Sequence, residues 1–166
     1  MITKIILLGS SQVGKTTLMN KIAGKNIEER PLPTIWSDFF IGNFEKDKIF
    51  LYETTHHYVP DDFDIYLVLY NILYVDTLVH TENIIRKIPK KSCIFLIGTM
   101  FDYPNDIHDF SYIDDMVKTI ISKYNIKTHI ILSVRDDRNV CFLISALHAM
   151  INKTRIQTRK NLCYML

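Results

Sequence analysis

The residues best placed to do chemistry are Gly9-Ser10-Ser11-Gln12-Val13-Gly14-Lys15-Thr16, which fit G-x-x-x-x-G-K-[ST] and follow the apolar run Ile5, Ile6, Leu7, Leu8. A loop of this composition can turn its backbone N–H groups onto phosphate oxygens. Glycine at positions 9 and 14 removes the Cβ atoms that would crowd the turn or the ligand. Lys15 supplies a point charge for β- and γ-phosphates, and the Thr16 hydroxyl can ligate Mg²⁺. Thr17 opens a helix whose positive end faces the same anions. The chemistry implied is binding of a nucleoside phosphate with Mg²⁺, with Gly9 to Thr17 as the nucleotide-binding segment.

The elements that must position this loop are legible in the apolar pattern. Strands are expected at Thr3 to Leu8, Asp38 to Phe44, Lys48 to Glu53, Asp64 to Tyr70, Ser92 to Thr99 and Thr128 to Ser133. Helices are expected at Thr17 to Lys25, Asp76 to Ile88, Tyr112 to Tyr124 and Asn139 to about Lys153. The last two carry core stripes, Ile113, Met116, Val117, Ile120, Ile121, Tyr124 and Val140, Leu143, Ile144, Leu147, Met150, Ile151, with Ser111 and Asp114 as a capping pair. Runs such as Tyr66 to Tyr70 and Ile94 to Ile97 lack polar alternation, as parallel strands covered on both faces do. Asp38 to Glu53, turning at Glu45 to Asp47, reads as a hairpin. The fold class is α/β: one domain with a six-stranded, mostly parallel sheet, one antiparallel edge strand and helices on both faces.

Composition narrows the function classes. Twenty Lys and Arg against 18 Asp and Glu leave a net charge of +2, too weak for general nucleic-acid binding. No apolar run approaches the roughly 20 residues of a membrane span, and no charged-then-apolar leader precedes the first strand, so a cytosolic protein is expected. Cys93, Cys141 and Cys163 lack metal-ligand spacing, and the first two read as small core residues.

The order of phosphate loop, helix, Pro33-Thr34-Ile35, hairpin and then alternating strands and helices resembles the small GTPases of the Ras superfamily over essentially the whole chain. Pro33-Thr34-Ile35 with Asp38-Phe39 is most similar to the Rab branch. The resemblance implies a P-loop NTPase G domain over residues 1–155 that binds GTP or GDP with Mg²⁺. It implies Thr34 as the switch I sensor of Mg²⁺ and the γ-phosphate, and Glu53-Thr54-Thr55-His56-His57 at the place of D-T-A-G-Q. Glu53 then holds a Mg²⁺ water, and His57 falls where a glutamine orients the attacking water. Lys15, Thr34 and His57 are the catalytic candidates, and Thr16, Thr34 and Glu53 the metal ligands. His56 replaces a hinge glycine, and Tyr58 to Phe63 is too short for the helix that normally follows.

At the base-recognition motif the chain reads Thr99-Met100-Phe101-Asp102. The resemblance implies that the Asp102 carboxylate accepts from the guanine ring N–H and amine. Thr99 replaces an asparagine, and Met100 replaces the lysine whose stem covers the ring. Ser133-Val134-Arg135 stands at the family's S-A-K, the Val134 N–H facing guanine O6. Read without the family, Asp102 is equally a turn aspartate before Pro104 and Ser133-Val134-Arg135 a strand end.

Cys163-Tyr164-Met165-Leu166 fits C-a-a-X with the terminal Leu associated with geranylgeranyl transfer. Lys153, Arg155, Arg159 and Lys160 lie just upstream, in and before a basic tail at residues 156–166. One lipid plus a basic patch is a two-signal membrane anchor, so the expectation is a switch on the cytosolic face of a membrane. Slow GTP hydrolysis follows from the altered motifs, and an exchange factor, a GTPase-activating protein and effectors are the partners the resemblance implies. The alternatives are a pseudo-GTPase interaction module and another P-loop nucleotide kinase.

Overall fold

Strands with no polar face have to be covered from both sides, and this requirement organises the chain. The computed structural model describes residues 2–25, 37–44, 47–54, 59–100, 111–126 and 128–163. In order they form β1 (Ile2–Gly9), α1 (Lys15–Ile22), β2 (Ser37–Phe44), β3 (Asp47–Thr54), β4 (Ile65–Asn71), α2 (Val75–Ile85), β5 (Cys93–Thr99), α3 (Ser111–Tyr124), β6 (Thr128–Ile131) and α4 (Asp137–Cys163). The protein is α/β, with a six-stranded sheet in the order β2-β3-β1-β4-β5-β6. Only the edge pair β2–β3 is antiparallel. The residues 45–46 expected at its turn lie outside the described residues.

Successive β1 side chains point to opposite faces and so enter different cores. Ile5 and Leu7 pack with Leu18, Met19 and Ile22 of α1 and Leu143, Leu147 and Ile151 of α4. Ile6 and Leu8 pack with Leu78, Ile84 and Ile85 of α2 and Val117 and Ile120 of α3. β4, central in the sheet, is buried at all seven positions. Fully burying one such side chain is worth about 1.5–3 kcal/mol, and these two layers hold the strand ends in register.

Three expectations need correction. Cys141 is exposed, because α4 turns Val140, Leu143 and Leu147 inward and each residue step rotates about 100° away from that stripe. The last helix does not stop near Lys153 but runs to Cys163, so most of the stretch expected as a short tail is helical. α1 begins at Lys15, inside the phosphate-loop motif, and closes at Ala23 and Gly24, the latter left-handed at φ 68°. Ser111 is the first residue of α3, and its side chain is outside the described ones. Between β3 and β4 the described residues 59–64 contain no helix, as their number suggested. Among the described residues no helix is long and apolar enough to cross a membrane.

Candidate functional site

Five parallel strands deliver their C-terminal ends to one edge of the sheet, and the sequence candidates collect there. The pairing sets Leu7 beside Glu53 and Gly9 beside Leu69, while Asn71 lies beside Thr99. The loop that leaves β1 therefore starts between the ends of β3 and β4, next to the end of β5.

The loop's curl is written in its backbone. Gly9, Gln12 and Gly14 have φ of 146°, 62° and 88°, so three of six consecutive residues lie at positive φ. A Cβ on Gly9 would come within 2.4 Å of the Leu69 carbonyl oxygen, which makes glycine obligatory where the chain leaves the sheet. Gly14 has open space around its missing Cβ, and there the left-handed conformation demands glycine. Gln12 adopts the same region at a cost of order 1–3 kcal/mol, a strain that clusters at ligand sites. Ser11 and Gln12 are exposed at the loop's tip, and Val13 is buried beneath it.

Lys15 opens α1 and folds back over the loop. Its Nζ donates to the Ser10 carbonyl at 2.8 Å and the Gly9 carbonyl at 3.1 Å. Only 7% of the residue is accessible. Burial depresses its pKa, and the negative charge of Glu53 opposes that shift. The next residue makes the second contact of the site: Thr16 Oγ1 donates to Glu53 Oε1 at 2.7 Å, and Glu53 itself is fully buried. Hydroxyl and carboxylate oxygens are the hard donors Mg²⁺ selects, and such a cation normally keeps several waters and phosphate oxygens. Among the described residues no three His, Cys, Asp or Glu side chains group to hold a metal unaided. This pair supplies two oxygen donors of the kind a cation takes together with waters and phosphate oxygens. Thr17 is half-buried in the first turn of α1.

Behind the loop, Thr99 does more than its replacement of an asparagine suggested. Its buried Oγ1 lies 2.9 Å from the Val13 carbonyl and 3.0 Å from the Tyr70 carbonyl. One hydroxyl thus ties the phosphate loop to the ends of β4 and β5. Met100, directly after it, has φ 67°, an uncommon conformation for a non-glycine residue. Ser133, Val134 and Arg135 turn beyond β6, with Ser133 and Val134 nearly buried and Arg135 exposed. The Ser133 Oγ accepts from the Arg135 N–H at 3.1 Å. Leu132 N–H donates to Gly98 O at 2.8 Å and brings this turn beside β5.

The structure thus gathers Gly9 through Thr17, Glu53, Thr99 and Ser133 to Arg135 at one end of the sheet. Thr34, His56, His57 and Asp102 lie outside the described residues. Cys163 ends α4, its side chain not among the described ones. Sequence reasoning missed the clamp role of Thr99 and the strain at Gln12; a hydroxyl residue ending a wholly apolar strand, and a loop with two obligatory glycines, were the available signals. Neither a protein-family model nor a curated protein sequence matches the chain.

Proposed function

We propose that the protein is a divergent small GTPase of the Ras superfamily, a P-loop G domain that binds GTP or GDP with Mg²⁺ and hydrolyses GTP slowly. The observation that carries the reading is the contact set at the start of α1. A buried lysine ammonium rests on the loop's own carbonyls, and Thr16 meets a buried carboxylate one contact away. A desolvated ammonium on two neutral oxygens is poorly compensated. Polyphosphate supplies the charge it lacks, and Lys15 then exchanges carbonyl oxygens for phosphate oxygens. Loop N–H groups and the N-terminus of α1 add fixed dipoles toward the same anion.

Mg²⁺, held by Thr16 and, through water, by Glu53, would neutralise charge on the phosphates. Thr34 is the proposed switch I contact and Asp102 the guanine reader. Thr99 keeps the loop-supporting half of the asparagine's task through Val13. Among the motif residues only His57 stands at the water-orienting place, and without a glutamine there hydrolysis is slow. The sequence Glu53-Thr54-Thr55-His56-His57 also favours a second reading, a nucleotide-holding module that does not turn over. The Cys163-Tyr164-Met165-Leu166 pattern supports a proposed isoprenoid anchor, which would hold the domain at the cytosolic face of a membrane.

The test is the nucleotide bound to purified protein and its affinity by calorimetry. Wild type should retain GDP or GTP in preference to ATP. Lys15→Ala should weaken triphosphate binding by about a hundredfold or more, the order expected for losing a charge-assisted contact in a buried site. Equal affinity of wild type and variant would remove the phosphate-loop reading, and indifference between GTP and ATP would remove the guanine reading alone.

A further inference from the structure

At the opposite pole of the sheet, about 20 Å away along the strands, lies a groove that the nucleotide reading does not use. It encloses about 920 Å³ between the end of α2, the start of β5, the end of α3, the start of β6 and the last inner turn of α4. Among the described residues five cations line it, Arg86, Lys90, Lys91, Lys123 and Lys153, and no aspartate or glutamate does. They come from three separate segments of chain that the topology brings to one end.

Two of the five are fixed in place. Glu82, one turn before the end of α2, accepts from Arg86 at 3.1 Å and from Lys123 of α3 at 2.8 Å. Tyr124 joins them, donating to Glu82 at 3.0 Å and accepting from Arg86 Nε at 3.0 Å. These bonds hold the Glu82 carboxyl down to about 2. Lys90, Lys91 and Lys153 take part in no ion pair among the described residues and are exposed.

Helix ends are a conventional reason for lysines at such a place, so the charges need counting. The C-termini of α2 and α3 each present about −0.5 of an elementary charge. With Glu82 the local negative charge is about −2, and five cations leave a surplus of about three positive charges. A concave, low-dielectric wall focuses that field outward. Helix dipoles account for fewer than half of these cations.

We propose that this groove binds a ligand carrying clustered phosphate groups, of the kind found on a phosphorylated inositol. Each phosphate brings about 1.5–2 charges and three strong acceptor oxygens, so about two of them match the surplus within a pocket of this size. A compact polyanion can meet cations from three segments of chain around one groove, whereas an extended acidic peptide would need a long cationic track. The same chemistry exists on a membrane lipid and on a soluble inositol phosphate, and the experiment separates these sources.

The full chain is tested by vesicle sedimentation and by calorimetry with inositol hexakisphosphate. Vesicles of phosphatidylcholine carry either phosphatidylinositol 4,5-bisphosphate or phosphatidylserine at matched surface charge. The variant is Lys90→Glu, Lys91→Glu and Lys153→Glu together, with each single reversal as a check that the fold persists. Preference for the bisphosphate vesicles, lost about a hundredfold in the triple variant and about fivefold per single reversal, supports the lipid source. Binding of hexakisphosphate with the same losses but no vesicle preference supports the soluble one. Lys15→Ala should leave either binding unchanged, which separates this site from the proposed nucleotide loop. Equal binding to both vesicle types without hexakisphosphate binding would reduce the groove to diffuse surface charge and overturn the proposal. Polyglutamate binding as tightly as hexakisphosphate, no binding to any probe, or losses in Lys15→Ala instead of the triple variant would overturn it too.

Discussion

Thr99→Val tests the clamp on the phosphate loop most directly. Valine has nearly the volume and shape of threonine, so the substitution leaves no cavity, and only the hydroxyl is lost. That hydroxyl has a single proton within reach of the Val13 and Tyr70 carbonyls, at 2.9 and 3.0 Å, so it acts as one shared donor. Its removal forfeits about 1 kcal/mol of net hydrogen bonding, and an acceptor left buried without a donor raises the loss to about 1–3 kcal/mol. For a chain of this length each kcal/mol is about 2–4 °C of melting temperature, so Tm should fall by about 2–12 °C. The loop half of the loss falls on Val13, whose carbonyl position fixes the course between Gln12 and Gly14. Ordering that loop again on binding should weaken nucleotide affinity by about tenfold, a cost of about 1.4 kcal/mol.

Thr99→Ser is the control that separates packing from clamping, because it deletes a buried methyl and keeps the donor. Both variants should melt below wild type in a thermal shift assay. Only Thr99→Val should lose nucleotide affinity in calorimetry. If the two variants lost affinity equally, or if Thr99→Val kept both its Tm and its affinity, the hydroxyl would not be holding the loop and the argument would fail.

Glu53→Gln keeps an oxygen for Thr16 and removes the charge; it should make nucleotide retention need about tenfold more Mg²⁺, read by release of a fluorescent GDP across a Mg²⁺ titration. Glu82→Gln should cost stability at neutral pH. Because the Glu82 carboxyl is held down to about 2 by Lys123, Arg86 and Tyr124, its contribution is present above the ordinary value of 4.5 and is lost as pH falls toward 2, so the two melting curves should converge over that interval. Cys163→Ser should release the protein made in a eukaryotic cell from membranes, and intact-mass analysis of wild type should show an isoprenoid on Cys163 with loss of Tyr164 to Leu166.

The core and the succession of strands and helices along the chain were legible because uninterrupted apolar runs such as Ile65 to Tyr70 belong between two helical layers, whereas the order of strands within the sheet was not. Nor was the end of α4. Its apolar stripe closes at Ile151, but neither glycine nor proline follows before Leu166, so nothing in the backbone stops the helix where its core contacts stop. Cys141 was misjudged for a related reason, since a residue one step from a stripe shares its apolar neighbours in sequence while facing away from them in space. The course of the loop around Lys15 was the more legible part because its contacts are local: Lys15 meets Gly9 and Ser10, six and five residues away. Thr99 meets Val13 across 86 residues, and a substitution read against a motif shows only what the motif loses. The basic groove was equally hidden, because Arg86 and Lys153 become neighbours only once β5 and β6 lie side by side.

The chain after Glu53 bears on whether the proposed site switches or merely holds its nucleotide. Residues 59–64 run over β1, β3 and β4 without a helix, and they are tied down at several points. Tyr66 donates its hydroxyl to the Pro60 carbonyl at 2.8 Å, Lys4 N–H donates to Asp64 at 2.8 Å, and Lys4 Nζ reaches Asp62 at 2.8 Å. Phe63 stacks on Tyr52 at 5.8 Å and on Phe50 at 6.3 Å, with an edge contact to Tyr66 at 6.3 Å. The exposed ion pair is screened by solvent and adds little, whereas each ring contact contributes about 0.5–1.5 kcal/mol beyond its area and each buried hydrogen bond about 1 kcal/mol. Their sum is several kcal/mol, larger than the roughly 1–3 kcal/mol that typically couples one site to another. A γ-phosphate acting through this stretch would therefore have to supply more than ordinary coupling energy before residues 59–64 could move. The same contacts that stand in for the missing helix weigh against a large nucleotide-dependent rearrangement there, and they shift the balance of the proposed function toward retention of nucleotide over rapid cycling.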